Sequence, residues 1–303
     1  MRTAPVGLNQ DCIENILRCL RSQHPVNPGM SDGGFASLPS LSPSSLDFSI
    51  HILEQVSSTN ETLWTLLAAG APPGTVVIAT RQTAGKGQRG RQWDSSPGGL
   101  YLSLALTPNL NARDALLLTL CSAWGLATTL RAYNIPVSLK WPNDLILEGY
   151  KLGGILTETK IHQGQITKAV VGVGINWSNP VPETGINLQT FLGDRPDPGI
   201  TSLEMLAALT LWAVASGYQT FNEKGVGTLL PSYQNLMVGI GQPLAVEGSA
   251  GIVLGVSNTG ELRVRLNRSP VPDPNCTFTS ASTTEEIELM PGTINQGYPI
   301  LRA

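Results

Sequence analysis

Apolar and polar positions follow two different periods along this chain. Residues 9–21 place Ile13, Ile16, Leu17 and Leu20 on one face, which predicts a short amphipathic helix. Residues 25–47 lose that pattern, become rich in Pro, Ser and Gly, and read as a tether. Residues 58–70 read as a helix, with Ser58 and Glu61 at capping-box spacing and Gly70 at its C-terminal cap. Residues 75–80 (TVVIAT) and 100–106 (LYLSLAL) read as strands. The most apolar stretch, 115–130, contains Thr119, Ser122, Thr128 and Thr129 and is bounded by Asp114 and Arg131. A membrane span needs ~20 predominantly apolar residues, so a buried helix over 114–133 is expected instead. Residues 137–141, 144–147, 151–157 and 166–173 are strand-like, and Glu148–Gly149 suits a turn between two adjacent antiparallel strands. A last helix is expected over 202–221, with Thr201 and Glu204 as a second capping box. Strands that follow one another without a helix between each pair predict an α+β domain with a mixed, largely antiparallel sheet, not a doubly wound one.

From residue 239 the texture changes. Residues 243–247, 251–256 and 261–266 read as short strands, Asn258-Thr259-Gly260 as a turn, and 285–290 as one strand more. This predicts a small β-barrel of about 60 residues, a size that is marginal alone and is expected to pack on the middle domain. The chain thus divides into an N-terminal extension with its tether (1–47), a central domain (48–236) and a small C-terminal domain (237–303).

Composition narrows the function classes. The 303 residues are 41% hydrophobic and only 14% charged, against about 25% charged in ordinary proteins, which excludes bulk disorder. A net charge of −3 argues against a dedicated nucleic-acid binder. Cys12, Cys19, Cys121 and Cys276 form no CxxC pair and read as free thiols. His24, His51 and His162 stand alone, so a structural zinc site is not expected. Arg18 and Arg21 are not followed by the apolar run of a secretory signal. A cytoplasmic location without a membrane partner is expected.

Five clusters carry chemistry. In Gly85-Lys86-Gly87-Gln88-Arg89-Gly90-Arg91-Gln92-Trp93, glycines let backbone N–H groups approach an anion, three cations supply charge, and Trp93 offers a flat face for a ring. The same composition also suits a solvated hairpin loop. It is not a GxxxxGK[ST] phosphate loop, because no Ser or Thr follows the lysine of its GK pair, nor a dinucleotide fingerprint, because a strand follows it. Lys140-Trp141-Pro142-Asn143-Asp144 joins a lysine, an amide and a carboxylate around a strand-breaking proline. It reads either as a Mg²⁺ and phosphate site or as a plain turn. Lys151-Leu152-Gly153-Gly154 and Val171-Gly172-Val173-Gly174-Ile175-Asn176 put glycines inside strands, which marks a bulge or the close approach of a ligand. Ser57-Ser58-Thr59-Asn60 at a helix start and Gln82 before the loop suit a small polar head group.

The order SSTN, QTAGKGQRGRQW, KWPNDLIL, KLGGILTE, GVGIN closely resembles the biotin protein ligase family over residues 48–190. The resemblance implies a catalytic domain related to class II aminoacyl-tRNA synthetases and an SH3-like C-terminal β-barrel. It implies that biotin and ATP form biotinyl-5′-AMP with release of pyrophosphate. Biotin then passes to one lysine of a biotin carboxyl carrier protein, typically that of acetyl-CoA carboxylase. It assigns Ser58, Thr59, Asn60, Gln82, Lys86, Gly87, Gln88, Lys151, Gly153 and Gly154 to biotin, and Gly85, Gln88, Arg89, Arg91, Trp93, Lys140, Asn143, Lys151 and Asn176 to the nucleotide. Lys151, Lys86, Arg89, Arg91 and Asp144 would serve the chemistry, with Asp144 near Mg²⁺ or the incoming lysine. A homodimer is compatible with it.

Two departures stand out. The family loop usually reads GRGRxGR, and here Lys86 and Gln88 replace its first two arginines, which implies weaker retention of the adenylate. The N-terminal tract is too short and irregular for a helix-turn-helix module, so a ligase without a DNA-binding domain is expected. The alternatives are a lipoate or octanoate ligase or transferase on the same fold, and a non-catalytic biotin sensor.

Overall fold

One face of the central sheet is buried by α3 and α5 and the other partly by α2, which is why its middle strands are apolar at most positions. A computed structural model describes residues 8–22, 41–42, 44–193, 195, 199–268 and 283–293. After α1 (Gln10–Ser22) come β1 (Ser49–Val56), α2 (Thr59–Ala68), β2 (Thr75–Gln82), β3 (Leu100–Leu106), the short β4 (Leu110–Asn111) and α3 (Ala115–Ala132). Then follow β5 (Ser138–Lys140), β6 (Asp144–Leu147), β7 (Tyr150–His162), β8 (Gln165–Ile175), α4 (Leu188–Leu192), α5 (Leu203–Lys224) and α6 (Val226–Leu236). The eight strands run in the order β1-β2-β3-β8-β7-β6-β5, with β4 paired to β8. Only β1 and β2 are parallel, α2 forming their crossover; the other pairs are antiparallel. The expected mixed, largely antiparallel sheet is therefore present.

Alternation sorts the side chains. Val76, Ile78, Leu102, Leu104, Val171 and Val173 join the large core with α3 and α5. Val77, Ala105 and Val170 face the other way and pack with Leu63 and Leu67 of α2. Alpha-helix α2 covers only part of that second face, and the uncovered part is the floor of the cleft described below. Helices α3 and α5 cross through glycines: a Cβ on Gly125 would lie 2.3 Å from Ala213 O, and one on Gly217 2.5 Å from Cys121 O. The segment Ala112–Ala132 is long and apolar enough to cross a membrane by length and composition, but most of α3 is buried in the core, as expected. The amphipathic α1 packs against α5 with Ile13, Leu17 and Leu20 buried.

Local expectations hold with some shifts. Glu148 and Gly149 both have positive φ, 51° and 78°, as a tight two-residue hairpin requires. Ser58 is the N-cap of α2 but makes no side-chain cap bond. The cap of α5 is Ser202, which accepts from Met205 N, in place of Thr201; Glu204 instead accepts from Asn9 N. Strand β1 and helices α4 and α6 were not expected. In β1 only Ile50 is buried, so its apolar pattern is weak, and Pro231 lies inside α6.

At the C-terminus β9 (Pro243–Val246), β10 (Ser249–Val256), β11 (Leu262–Arg268) and β12 (Thr283–Leu289) form a four-stranded antiparallel sheet in consecutive order. The turn between β10 and β11 presses onto α3, a Cβ on Gly260 meeting Leu120 and Leu116 at 3.1 and 3.2 Å. Most of the predicted tether, together with His24 and Cys276, lies outside the described residues. Cys12, Cys19 and Cys121 are free thiols, as expected; burial pushes the Cys121 thiol up to about 12.

Candidate active site

Glycines open the floor of the cleft. Gly172 and Gly174 sit two apart on β8 and so face the same side. A Cβ on Gly172 would fall 2.3 Å from Asn60 Oδ1, and one on Gly174 2.5 Å from Trp93 Nε1. Each glycine makes room for one side chain that lines the cleft.

One end of the cleft is polar and uncharged. Thr59 donates to Gln82 Oε1 from its backbone N–H at 2.8 Å and from its hydroxyl at 3.2 Å. Gln82 Nε2 then donates to Ser95 Oγ at 2.7 Å. Ser103, opposite Gly172 across the β3–β8 ladder, stands 2.6 Å from Asn60 Oδ1 and 2.8 Å from Thr59 Oγ1. Asn60 Nδ2 donates to Glu158 Oε2 at 2.8 Å, and Trp64 Nε1 donates to the same oxygen at 3.2 Å. Ser58, Thr59, Asn60 and Ser103 are all buried. The start of α2 thus presents a fixed set of polar groups with almost no water access, as a small uncharged head group requires.

The other end is cationic. Lys151 Nζ lies 2.6 Å from Asp144 Oδ1 and 5.3 Å from the centre of the Trp93 ring. Lys140 and Asp144 are paired across β5 and β6, and Gly154 faces Asp144 from β7. Burial holds the Lys140 ammonium below its ordinary value; Asp144 opposes that, while Lys151 and Arg91 add to it. An anion placed here would relieve that repulsion. Three contacts fix the turn that carries these groups. Trp141 Nε1 donates to Gly260 O at 2.8 Å, the Tyr233 hydroxyl donates to Pro142 O at 3.1 Å, and Asn143 Nδ2 donates to Ile155 O at 2.8 Å.

The glycine-rich loop crosses between the two ends. Gly87 N donates to Arg91 O at 2.7 Å and Trp93 N to Gly85 O at 2.9 Å. Arg89 takes a positive φ of 62°, and its guanidinium donates to Gly292 O beyond β12. Lys86 Nζ lies 2.6 Å from Glu61 Oε1 on α2. That contact lowers the Glu61 carboxyl and raises the Lys86 ammonium.

Of the residues singled out in the sequence, Ser58, Thr59, Asn60, Gln82, Lys86, Gly87, Gln88, Arg89, Arg91, Trp93, Lys140, Asn143, Asp144, Lys151 and Gly154 line this one cleft. Gly85, Gly153 and Asn176 do not. Gly85 is a packing glycine whose Cβ would strike Trp93 O and Ser95 Oγ at 2.5 Å, and Gly153 packs against Gly174 O. Asn176 is buried, donates to Lys151 O and Ile186 O, and accepts from Asn179 Nδ2, so its amide is spent on holding the strand end. Sequence reasoning missed Ser103, Glu158 and the rim at Pro291 and Gly292. Ser103 had a usable signal, being the only hydroxyl inside an otherwise apolar LYLSLAL strand apart from Tyr101. Pro291 and Gly292 had none.

A cleft that joins a polar head-group pocket to a cationic compartment under a glycine-rich loop defines a site for linking a small molecule to a phosphate-bearing one. Residues 52–176 match the biotin/lipoate A/B protein ligase family. The biotin–[acetyl-CoA-carboxylase] ligase of Paracoccus denitrificans is 30% identical over 231 residues, covering 71% of this chain and 93% of the relative. The bifunctional ligase/repressor BirA of Bacillus subtilis (strain 168) is 29% identical over 221 residues, 70% of this chain and 68% of the relative. Among solved structures, a mutant of the Aquifex aeolicus biotin protein ligase in complex with biotin has a TM-score of 0.59 and 27% identity, covering 82% of this chain and 97% of that one. The same ligase in complex with biotin and ATP gives 0.56 and 26%, covering 79% and 99%. The chain belongs to the biotin protein ligase family.

Proposed function

We infer that this chain activates biotin with ATP and passes it to a carrier-protein lysine. The observation that carries the reading is the enclosure, in one cleft, of the uncharged pocket around Thr59, Asn60 and Gln82 and the cations Lys140, Lys151 and Arg91. In the first step a carboxylate oxygen of biotin attacks the α-phosphorus of ATP. The bond to the β-phosphate oxygen breaks, pyrophosphate leaves, and biotinyl-5′-AMP remains. Both reactants are anions, so cations that gather them make the encounter intramolecular and offset the repulsion. Lys151, lying between Asp144 and the Trp93 ring, is our assignment for the carboxylate–phosphate junction, and Trp93 for the base.

In the second step the ε-amine of a lysine on the biotin carboxyl carrier of acetyl-CoA carboxylase attacks the acyl carbon. AMP leaves with the bonding pair, and the nitrogen gives up a proton, for which Asp144 is our candidate acceptor. A loop ordered over the adenylate keeps water from the anhydride. Magnesium fits this site only as an ion carried by the triphosphate. Asp144 is the one carboxylate lining the cleft among the described residues and already holds Lys151, and among those residues no three His, Cys, Asp or Glu side chains gather. Bound so, it would draw charge from the leaving pyrophosphate. The consecutive antiparallel order of β9 to β12 supports an SH3-like reading of the C-terminal domain.

The test is biotin-dependent exchange of labelled pyrophosphate into ATP, with lipoate in parallel. Exchange with biotin alone is expected. Exchange with lipoate alone moves the chain to the sister branch, and tight biotin binding with no exchange makes it a sensor.

A further inference from the structure

We propose that Glu158 sets the hydrogen-bonding polarity of the head-group pocket, acting as a positioning residue through Asn60. The proposal deepens the biotin reading and rests on it. An amide can present either end to a ligand, so a pocket built on Asn60 selects nothing until something decides which end faces inward. Here the decision is chemical. A carboxylate offers acceptors only, so the group donating to Glu158 Oε2 at 2.8 Å must be the Asn60 amide nitrogen. That nitrogen has a second acceptor, Leu156 O at 3.4 Å. The carbonyl oxygen Oδ1 is thereby turned to the opposite side, against Gly172 and Ser103, both on the cleft face of the sheet. Ser103 uses one of its lone pairs and leaves the other.

Glu158 is itself locked. Trp64 Nε1 donates to the same oxygen at 3.2 Å, and Lys160 Nζ stands 4.9 Å from the centre of the Trp64 ring. The chain Lys160–Trp64–Glu158–Asn60 runs from the protein surface to the pocket wall. Its outcome is that Asn60 meets the ligand as a hydrogen-bond acceptor. The pocket therefore demands an N–H from the head group, which a cyclic urea supplies and a dithiolane does not. Glu158 thus contributes to choosing biotin over lipoate without touching either.

Glutamine at this position keeps the arrangement, because the Trp64 N–H can only donate and so draws the glutamine oxygen to where Oε2 was. An aliphatic residue removes it. The experiment compares wild type with Glu158→Gln, Glu158→Leu and Trp64→Phe in pyrophosphate exchange. Substrates are biotin and the two cyclic carbamates in which one ureido N–H is replaced by oxygen. In wild type one carbamate should be disfavoured about tenfold or more in KM, since oxygen would then face oxygen. Glu158→Gln should keep that ratio within about threefold. Glu158→Leu should raise the KM for biotin about tenfold with little change in kcat, and should collapse the ratio towards one. Trp64→Phe should move it the same way by less. Because the ratio compares two ligands on the same molecules, partial unfolding does not shift it. If wild type accepts both carbamates as well as biotin, or if Glu158→Leu and Trp64→Phe both keep the wild-type ratio, the proposal is wrong while the ligase reading stands. Absence of biotin-dependent exchange in wild type sinks the ligase reading itself.

Discussion

The indole N–H of Trp141 donates to the carbonyl oxygen of Gly260 at 2.8 Å, joining the turn that bears Lys140 and Asp144 to a turn of the C-terminal sheet 119 positions away. Both partners are enclosed, since Trp141 is only 7% exposed. Replacing Trp141 with Phe strands that carbonyl, which should cost about 1–3 kcal/mol of stability. Turnover should fall more than the KM for biotin rises, because the shifted groups sit at the cationic end, away from the uncharged pocket. Tyr233→Phe, which removes the bond to Pro142 O, should act in the same direction. Urea denaturation beside steady-state kinetics checks both, and an unchanged kcat in both variants would count against a positioning role for these contacts.

Gly125→Ala should destabilise the protein without touching the cleft. The added Cβ would lie 2.3 Å from the Ala213 carbonyl oxygen, so α3 and α5 must move apart. Overpacking of this kind costs about 1–3 kcal/mol or more. A thermal melt is expected to shift down by several degrees while the KM values of the surviving folded enzyme stay near wild type.

Gly174→Ala is the opposite case. Its Cβ would sit 2.5 Å from Trp93 Nε1, and the ring, which borders the open cleft, can swing away. Stability should change little, whereas the KM for ATP should rise about tenfold, roughly the loss of one stacking contact. Tryptophan fluorescence with and without nucleotide reports the displaced ring; a wild-type nucleotide response would refute the assignment of Trp93 to the base.

The pH dependence follows from Lys140. Its ammonium is held below the ordinary 10.5 mainly by burial. Between the folded and unfolded values the unfolded chain binds more protons, so this group makes stability rise with pH in that window. Anion binding needs the ammonium, so affinity for ATP should weaken as pH climbs through the lowered value, before 10.5 is reached. Lys140→Arg stays charged throughout, and its ATP-affinity profile should lose that limb. A limb that persists unchanged in the arginine variant assigns it elsewhere.

The loop is tied down by Lys86 on Glu61, both more than a third exposed. Glu61 is lowered from 4.5 and Lys86 raised from 10.5, so the tie should hold across that whole range and loosen only in stronger acid or base. Glu61→Gln should speed tryptic cleavage in the loop at neutral pH, and salt should do the same to wild type. Gln88→Arg restores a cation that lines the cleft and should slow release of the adenylate into solution. Equal leakage from that variant and wild type would show that Gln88 does not govern retention.

Much of this is legible in the sequence alone. The SSTN, GKGQRGRQW and KWPND segments carry their chemistry in consecutive side chains, and the sheet strands they flank are strongly apolar. Glu158 and Ser103 were harder because their partners, Asn60 and Thr59, are 98 and 44 positions away. A strand glutamate and a strand serine look like ordinary alternation until the sheet order puts β3, β8 and β7 side by side beneath α2. Asn176 shows the same in reverse: an amide after a glycine-punctuated strand reads as a ligand contact, but here its Nδ2 donates to the backbone at Lys151 in β7 and at Ile186. Strand β1 was invisible because it lies at the sheet edge, where one buried residue suffices.

The Trp141–Gly260 and Arg89–Gly292 contacts make one end of the cleft depend on the C-terminal part of the chain. In chain order the strands of the sheet and α2, which frame the head-group pocket, are complete by residue 175, and the α5 that buries the sheet's other face follows at Leu203–Lys224. The cationic end is not complete there, because Trp141 pairs with Gly260, and Arg89 with Gly292, which lies 203 positions further on. The cationic end of the cleft is therefore braced by residues near the far end of the chain, whereas the head-group end is built from residues before 176.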